Sequence, residues 1–220
     1  MNIENIICKA SELIQQKDTV SKEEVNQDWI TRFFDIAQDI SDEEMQNLWV
    51  KVLSDEIDKP KSYSLRTLEL IKNLSNSEGQ LIERFCKQEF KRGSNILVVG
   101  NDDFFDKHDI SLDDRILLEE LNLVKFNLNF NLEAEERAYF SYDNKVMIIT
   151  SGEKHTSFSV AQMTTVGKEL YGLINKELNM QYITDVSRLI KLGGAKQIHF
   201  ADEIYNPEKK EYNVTVIDEL

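Results

Sequence analysis

The sequence contains few of the residues that interrupt regular structure or cross-link it. Its 220 residues include only two prolines and eight glycines, which leaves little room for disordered linkers. The two cysteines, Cys8 and Cys86, lie far apart inside helical patterns. We therefore expect two small core thiols rather than a disulfide, as in a cytoplasmic protein in a reducing compartment.

Long apolar runs are missing, and basic residues are outnumbered. No apolar run approaches the roughly 18–20 residues that a membrane-spanning helix needs. The first residues lack a basic start, a continuous apolar block and a cleavage site, so we expect no signal peptide. The formal net charge of −14 repels phosphate backbones and anionic membranes, so neither a nucleic acid nor a membrane is the expected partner.

The motifs of common enzymes and metal sites are also absent from the sequence. His108, His155 and His199 are far apart, and none belongs to an H-E-x-x-H pattern. There is no P-loop, no G-x-G-x-x-G and no G-x-S-x-G. We therefore predict no catalytic residue, no metal and no cofactor, and we expect a non-enzyme. An active site assembled from distant residues stays open as an alternative.

What the sequence does contain is, first, a helical region over residues 1–92. Apolar residues recur there at the spacing of helices that bury one face. Because no such helix can bury its apolar face alone, we predict an all-α bundle. The predicted helix starts are Ser21 with Glu24, Ser41 with Glu44, Ser64, and Ser75 with Glu78.

The pattern changes near Gly93. "NILVVG" reads as a strand, and from Val124 to Leu132 apolar residues alternate with polar ones. With "AYFSY", "KVMIIT" and "TSFSV", this pattern predicts an antiparallel meander. A last hairpin is predicted around Asn206-Pro207, after a helix that ends at Gly193-Gly194.

A helix, then "LEELNLV", then a hairpin is typical of a winged helix. We therefore predict an α+β protein with a helical bundle over 1–92 and a winged-helix-like part with a β-meander over 93–220. This suggests a DNA-binding regulator as one alternative function. A helix that reads a major groove needs positive charge, and helix 111–121 carries Asp113, Asp114, Glu119 and Glu120 against Arg115.

The acidic stretch at residues 102–114 suggests a second alternative, a metal-dependent enzyme. Its many carboxylates could supply oxygen ligands to a hard cation. It lacks the central glycine and the closing glutamate of a calcium loop. The simpler interpretation is a solvated loop followed by a helix with Ser111 as its N-cap.

The stretch "LSDEIDKPKSYSLRTLELI", residues 53–71, places charges against the helix dipoles. Glu56 lies near the end of one predicted helix, where cations are favoured, and Arg66 lies in the first turn of the next, where anions are favoured. Because the connection through Pro60 is short, we predict that Glu56 and Arg66 pair across the corner.

Asp28 and Arg32 are a second candidate pair, four residues apart on a helix. Together with Glu56 and Arg66 they form the candidate site, either a structural clamp or a surface that binds a partner. Nearby aromatic residues are expected to be core, or in part a self-association surface. These are Trp29, Phe33, Phe34, Trp49 and Tyr63.

Residues 28–75 also carry a resemblance. Asp28-Trp29, Leu48-Trp49 and Ser64 through Leu68 resemble an uncharacterised bacterial family of unknown function, the one numbered two thousand eight hundred and six. Thr165 through Leu170 is similar to that family's "T-x-x-G-x-x-L" segment. The chain departs from the family at Ser54-Asp55, where a small residue and Gly are expected. This resemblance implies no catalytic residue.

A looser similarity connects the chain with the abortive-infection alpha family. It rests on an acidic start, a W-x-x-x-L pattern, a helix that ends in "LS", and "LEELNLV". The similarity implies phage defence. We therefore expect a non-enzymatic, cytoplasmic interaction or sensing protein in phage defence, which binds a protein partner or forms a homo-oligomer.

Overall fold

The structure is a computed structural model of the chain. The residues that it describes are 2–17, 20–175, 177–202, 204–206, 211–213 and 216–219. The chain divides into two compact units. Unit 1 comprises Met1–Gly79 and Thr165–Ile174, and unit 2 comprises Gln80–Thr164 and Asn175–Leu220.

Helices predominate in the N-terminal part and strands in the C-terminal part, which confirms the mixed α and β composition. The helices are α1 (Asn2–Gln15), α2 (Gln27–Ala37), α3 (Glu43–Asp58), α4 (Leu65–Asn73), α5 (Asn76–Cys86), α6 (Asp102–Lys107), α7 (Leu112–Glu120), α8 (Thr165–Tyr171) and α9 (Met180–Leu192). In the described part of the chain, none of them has the length and apolar character of a membrane span.

The core of unit 1 is built around the aromatic residues of α2 and α3. The ring of Phe33 lies 5.2 Å from that of Trp29 and 5.3 Å from that of Trp49. All three side chains are buried, as is Tyr63. These aromatic residues therefore form core rather than a self-association surface.

Three of the predicted helix caps are confirmed. The hydroxyl of Ser64 accepts a hydrogen bond from the backbone N–H of Thr67 at the start of α4. Ser75 and Glu78 form the predicted capping box at the start of α5. Ser111 caps α7 as predicted.

Two other predicted caps are wrong. Asn26 caps α2 instead of Ser21, and Asp42 caps α3 instead of Ser41. Asn and Asp are as effective at this position as Ser, and each accepts here from the first turn of its helix. Ser21 lies outside the helix, and its hydroxyl accepts from the N–H of Glu23.

The helical region ends earlier than predicted, because Phe90–Arg92 forms a strand. The strands are β1 (Phe90–Arg92), β2 (Asn95–Val99), β3 (Val124–Leu132), β4 (Arg137–Tyr142), β5 (Lys145–Ser151), β6 (Thr156–Met163), β7 (Ala195–Asp202), β8 (Ile204–Asn206), β9 (Glu211–Asn213) and β10 (Val216–Glu219). One antiparallel sheet has the order β10-β7-β5-β4-β1-β2-β6-β3, and β8 pairs with β9. All of these strands belong to unit 2.

The predicted winged helix is not confirmed. α7 leads into β3, but among the described strands β3 pairs with β6 and not with β4. Within the predicted meander, the strands that pair with their sequence neighbours are β4 and β5, joined by a turn with Asp143 at a φ of 55°. Alternating apolar residues predict a strand, but they do not specify the strand with which it pairs.

The sheet carries α9 on one face. Ile183, Val186 and Ile190 are fully buried against strand residues such as Phe140. The helix ends at Gly193, as predicted. β7 pairs with β10, which confirms the last hairpin within the described residues, whereas Pro207 lies outside them.

β3 contains a bulge. Asn127 has a φ of 57°, and the pairing with β6 shifts by one residue between Lys125 and Leu128. Just before the bulge, the N–H of Phe126 donates to Oε1 of Glu119, at 3.0 Å. After the bulge, residues 128–132 pair regularly with β6.

The two cysteines differ in exposure. Cys86 is buried as predicted, but Cys8 is exposed, and neither cysteine forms a disulfide within the described residues. Ile6 and Ala10 lie on the buried side of α1, whereas Cys8 lies on the side of that helix that faces solvent.

Candidate functional site

Glu56 lies near the end of α3 with its side chain almost fully buried. Its Oε1 accepts a hydrogen bond from the N–H of Lys61 at 2.7 Å, and its Oε2 accepts from the N–H of Tyr63 at 2.9 Å. Lys61 has a φ of 74°, so the carboxylate holds a strained turn of the connection between α3 and α4. Burial raises the pKa of Glu56, and the backbone hydrogen bonds partly offset that rise.

Glu169 on α8 joins that helix to the start of α4. Its Oε2 accepts from the N–H of Ser64 at 2.7 Å, from the hydroxyl of Ser64 at 3.0 Å and from the hydroxyl of Thr67. A carboxylate at a helix N-terminus also interacts favourably with the helix dipole. Two of the stretches that carry the family resemblance, 64–68 and 165–170, therefore meet in space within unit 1.

The other acidic residues at the end of α3 are also engaged by unit 1. The hydroxyl of Tyr63 donates to Asp55 at 3.1 Å. Lys17 lies 2.9 Å from Asp58 and 3.8 Å from Asp55. A lysine that follows α1 therefore neutralises the acidic charge that the dipole of α3 disfavours.

The structure does not bring the two predicted pairs together. Glu56 binds backbone N–H groups, and in the described part of the chain the exposed Arg66 has no ion-pair partner. Arg32 lies 3.4 Å from Glu69 on α4 rather than beside Asp28. Asp28 lies in the first turn of α2, where a carboxylate suits the helix dipole.

A cavity of about 530 Å³ opens at this corner. The buried carboxylate of Glu56 and that of Glu169 already accept hydrogen bonds from the chain's own N–H and O–H groups. The corner is therefore a structural clamp built from a network different from the predicted one. The residues that line the cavity are Asp55, Asp58, Lys59, Lys61, Ser62, Tyr63, Thr165, Lys168, Glu169 and Gly172.

The acidic stretch 102–114 is largely helical and not a loop. Arg115 is only 6% exposed, and its Nη1 donates to Asp106 and to the carbonyl of Ile110, each at 2.8 Å. Its Nη2 lies 3.7 Å from Asp102. Two carboxylates of this stretch, those of Asp102 and Asp106, thus lie beside a buried guanidinium. Among the residues that the structure describes, no group of three or more His, Cys, Asp and Glu could hold a metal ion.

Replacing Arg115 with methionine is expected to lower the free energy of unfolding of unit 2 by about 2 kcal/mol. The change removes both hydrogen bonds and leaves the buried carbonyl of Ile110 without its donor. Urea unfolding followed by far-ultraviolet circular dichroism measures the loss. Arg137→Met, at an exposed strand position, is the control, and an equal loss there would contradict this role for Arg115.

A second cavity, of about 620 Å³, lies within unit 2 beside a buried carboxylate. Asp185 on α9 is 2.9 Å from Lys107 and 3.3 Å from Nε2 of His108. The hydrogen bond from Lys107 lowers the pKa of Asp185, whereas burial lowers the pKa of His108. Among the described residues that line this cavity there is no serine, threonine or cysteine to serve as a nucleophile.

Replacing Asp185 with asparagine is expected to destabilise unit 2 by about 1 kcal/mol at neutral pH. Because the folded-state pKa of Asp185 lies below its unfolded value, its stabilising effect is full above the unfolded pKa and is lost as the pH falls through the folded pKa. The difference between wild type and variant should therefore shrink in acid, as measured by urea unfolding at pH 7 and pH 3. A difference that grows in acid would contradict this interpretation.

α7 presents an apolar pair to solvent. Leu112 is 60% exposed and Ile116, one turn later, is 46% exposed. Asp113 and Glu120 are also exposed, and the helical period places both of them along one edge of this pair. We refer to these four residues as the α7 surface.

Three charged residues that hold parts of the structure together were not identified from the sequence. Glu169, Arg115 and Asp185 are each bound to groups that lie elsewhere in the chain. For Glu169 a signal was present, because it lies inside the short segment similar to "T-x-x-G-x-x-L". For the other two, no pattern in the sequence distinguishes them from the many charged surface residues.

A comparison with known protein families identifies the family of this chain. The family described as "Protein of unknown function (DUF2806)" matches residues 1–187, which confirms the resemblance found in the sequence. Searches of curated proteins and of solved structures gave no match.

Proposed function

The chain belongs to the DUF2806 family, whose function is unknown, and we propose that it is a non-enzymatic, cytoplasmic interaction protein. Its α7 surface binds a protein partner whose contact region is basic.

The observation that carries this proposal is the exposure of Leu112 and Ile116 beside two exposed carboxylates. Apolar side chains one turn apart offer area to bury, and the flanking Asp113 and Glu120 favour a partner of opposite charge. A second copy of the same surface would place like charges together, so a different, basic partner suits it better.

The charged clusters of the molecule argue against catalysis. The carboxylates of Glu56 and Glu169 in unit 1 are bound to the chain's own backbone and hydroxyl groups, and Asp102 and Asp106 pair with the guanidinium of Arg115. The acidic side chains of α7 argue against the DNA-binding alternative, because they would face phosphates. The metal-dependent alternative lacks a ligand set, because among the described residues no group of three or more His, Cys, Asp and Glu could hold a metal ion.

Cross-linking tests the surface directly. A photoreactive amino acid at position 112 is expected to give, in cells, one main adduct whose partner peptide is rich in Lys and Arg. The adduct should weaken at high salt and disappear with Asp113→Lys and Glu120→Lys together. A probe at the exposed Lys154, and the reversal Glu153→Lys, serve as controls. Equal adducts at both positions, or adducts only to this chain, would overturn the proposal.

Phage defence is the context that we propose, and its support is the looser resemblance to the abortive-infection alpha family. Phage plating on bacteria that express the protein tests it. Wild type should reduce plaque formation, and Leu112→Lys with Ile116→Lys should restore plaques. Leu192→Lys, at a residue 87% exposed, should behave as wild type. If wild type protects against none of a broad panel of phages, the proposal of phage defence fails. The cross-linking experiment still tests whether the α7 surface binds a partner.

A further inference from the structure

β3 is the last strand of the sheet in unit 2. On one side it pairs with β6, and no other described strand pairs with its second side. A free strand edge presents N–H and C=O groups that can pair with another chain, and proteins normally protect such edges. The edge of β3 can therefore pair with another chain only where it is not protected.

Within the part of the chain that the structure describes, protection covers only the first half of the β3 edge. There Glu119 accepts from the N–H of Phe126, and the bulge at Asn127 interrupts the regular strand. The second half, residues 128–132, is regular and contains neither a charged residue nor a proline. The edge is thus open over "LNFNL".

The open segment reads the same in both directions. "LNFNL" is symmetric about Phe130, so a second copy related by a two-fold axis at Phe130 presents the same side chains in the same order. Antiparallel pairing would set Asn129 opposite the other copy's Asn131, and Phe130 opposite Phe130. Leu128 would lie opposite Leu132.

The core of unit 2 also reaches this edge. Phe130 is only partly buried, with its ring 5.1 Å from that of Phe140 and 5.3 Å from that of Phe158. Leu128, on the same side of the strand, is 36% exposed. A second β3 would cover both side chains and extend the aromatic row across the axis.

Charge permits this contact although the chain carries a net charge of −14. The only charged residue of β3 is Lys125. In the two-fold arrangement the residues before position 128 of one copy run beside those after position 132 of the other. Lys125 therefore approaches the acidic turn 133–136 of the second copy, so opposite charges meet.

We propose that the chain forms a two-fold homodimer in which residues 128–132 of β3 pair antiparallel with the same residues of a second copy. The two sheets then become one continuous sheet. This proposal uses a surface distinct from the α7 surface, so either can fail without the other.

Disulfide cross-linking tests the register. In a Cys8→Ser background, Asn129→Cys and Asn131→Cys are made as separate variants, mixed and oxidised. Across the axis these positions are directly opposite, whereas two copies of one variant place their Cα atoms about 8 Å apart, too far for a disulfide. The mixture should cross-link at least about tenfold more than either variant alone. Tyr139→Cys, exposed on β4, controls for random collisions.

Sedimentation tests the dimer itself. Wild type should sediment as a dimer, and Asn129→Lys with Asn131→Lys should sediment as a monomer of unchanged circular dichroism, because both positions are exposed and the lysines would face one another. A wild type that stays monomeric at its highest soluble concentration would overturn the proposal. So would a dimer that survives the two lysines, or cross-linking that is equal in the mixture and the single variants.

Discussion

Replacing Glu56 with alanine is expected to lower the free energy of unfolding of unit 1 by about 3 kcal/mol. Both carboxylate oxygens accept backbone N–H groups, from Lys61 and from Tyr63, and each buried donor left unpaired costs about 1–3 kcal/mol. The loss would also release the turn at Lys61, which has a positive φ. Urea unfolding followed by tryptophan fluorescence reports on unit 1 alone, since Trp29 and Trp49 both lie there.

Arg66→Ala is the matched control for Glu56→Ala. Arg66 is exposed and has no ion-pair partner in the described part of the chain, so its loss should change stability by less than about 0.5 kcal/mol. The double variant should show a coupling energy near zero, and reversing both charges should not rescue Glu56→Arg. A coupling energy above about 1 kcal/mol would instead show that Glu56 and Arg66 interact, as the sequence suggests.

Replacing Glu169 with alanine should destabilise unit 1 by about 2–3 kcal/mol. A single oxygen accepts three hydrogen bonds at the start of α4, and one of the donors is the hydroxyl of Thr67, a residue that is fully buried. Glu169→Gln keeps an acceptor oxygen but loses the charge that suits the helix N-terminus, so it should cost only about 1 kcal/mol.

Lys168→Ala is the control for this second change, because Lys168 lies beside Glu169 on α8 and is half-buried. Lys168→Ala should leave the urea midpoint of the tryptophan-fluorescence transition of unit 1 nearly unchanged. Glu169→Ala could instead lower the free energy of unfolding of unit 1 no more than Lys168→Ala does. In that case the carboxylate would not hold α8 to α4, and the contact between the two family segments would not stabilise unit 1.

Local features of this protein could be predicted from its sequence because local chemistry determines them. The capping groups of Ser64, Ser75 and Ser111 act on the turn that follows each of them. The alternation in β3 likewise predicted a strand. Phe90 was misassigned, because a buried aromatic residue suits a helix face and a strand equally well until its partners are known.

The partners of the charged residues could not be predicted for a different reason. The pairing of Glu56 with Arg66 was predicted from side-chain charges and helix dipoles, whereas the carboxylate binds backbone N–H groups of the connecting turn. The donors that Glu169 binds at Ser64 lie 105 residues away in sequence. No periodicity or spacing reports a contact of that range, and the pairing of β3 with β6 was missed for the same reason.

The placement of α8 in unit 1 has a consequence for the synthesis of the protein. The ribosome releases α1 to α4 first, then the strands from β1 to β6, and only afterwards α8. Until that helix emerges, the donor groups of Ser64 and Thr67 lack the carboxylate of Glu169 that binds them in the folded protein. The first unit to begin folding is therefore completed only after most of its successor has been translated, and a shortened chain that ends at Gly79 would be a helical unit without its last helix.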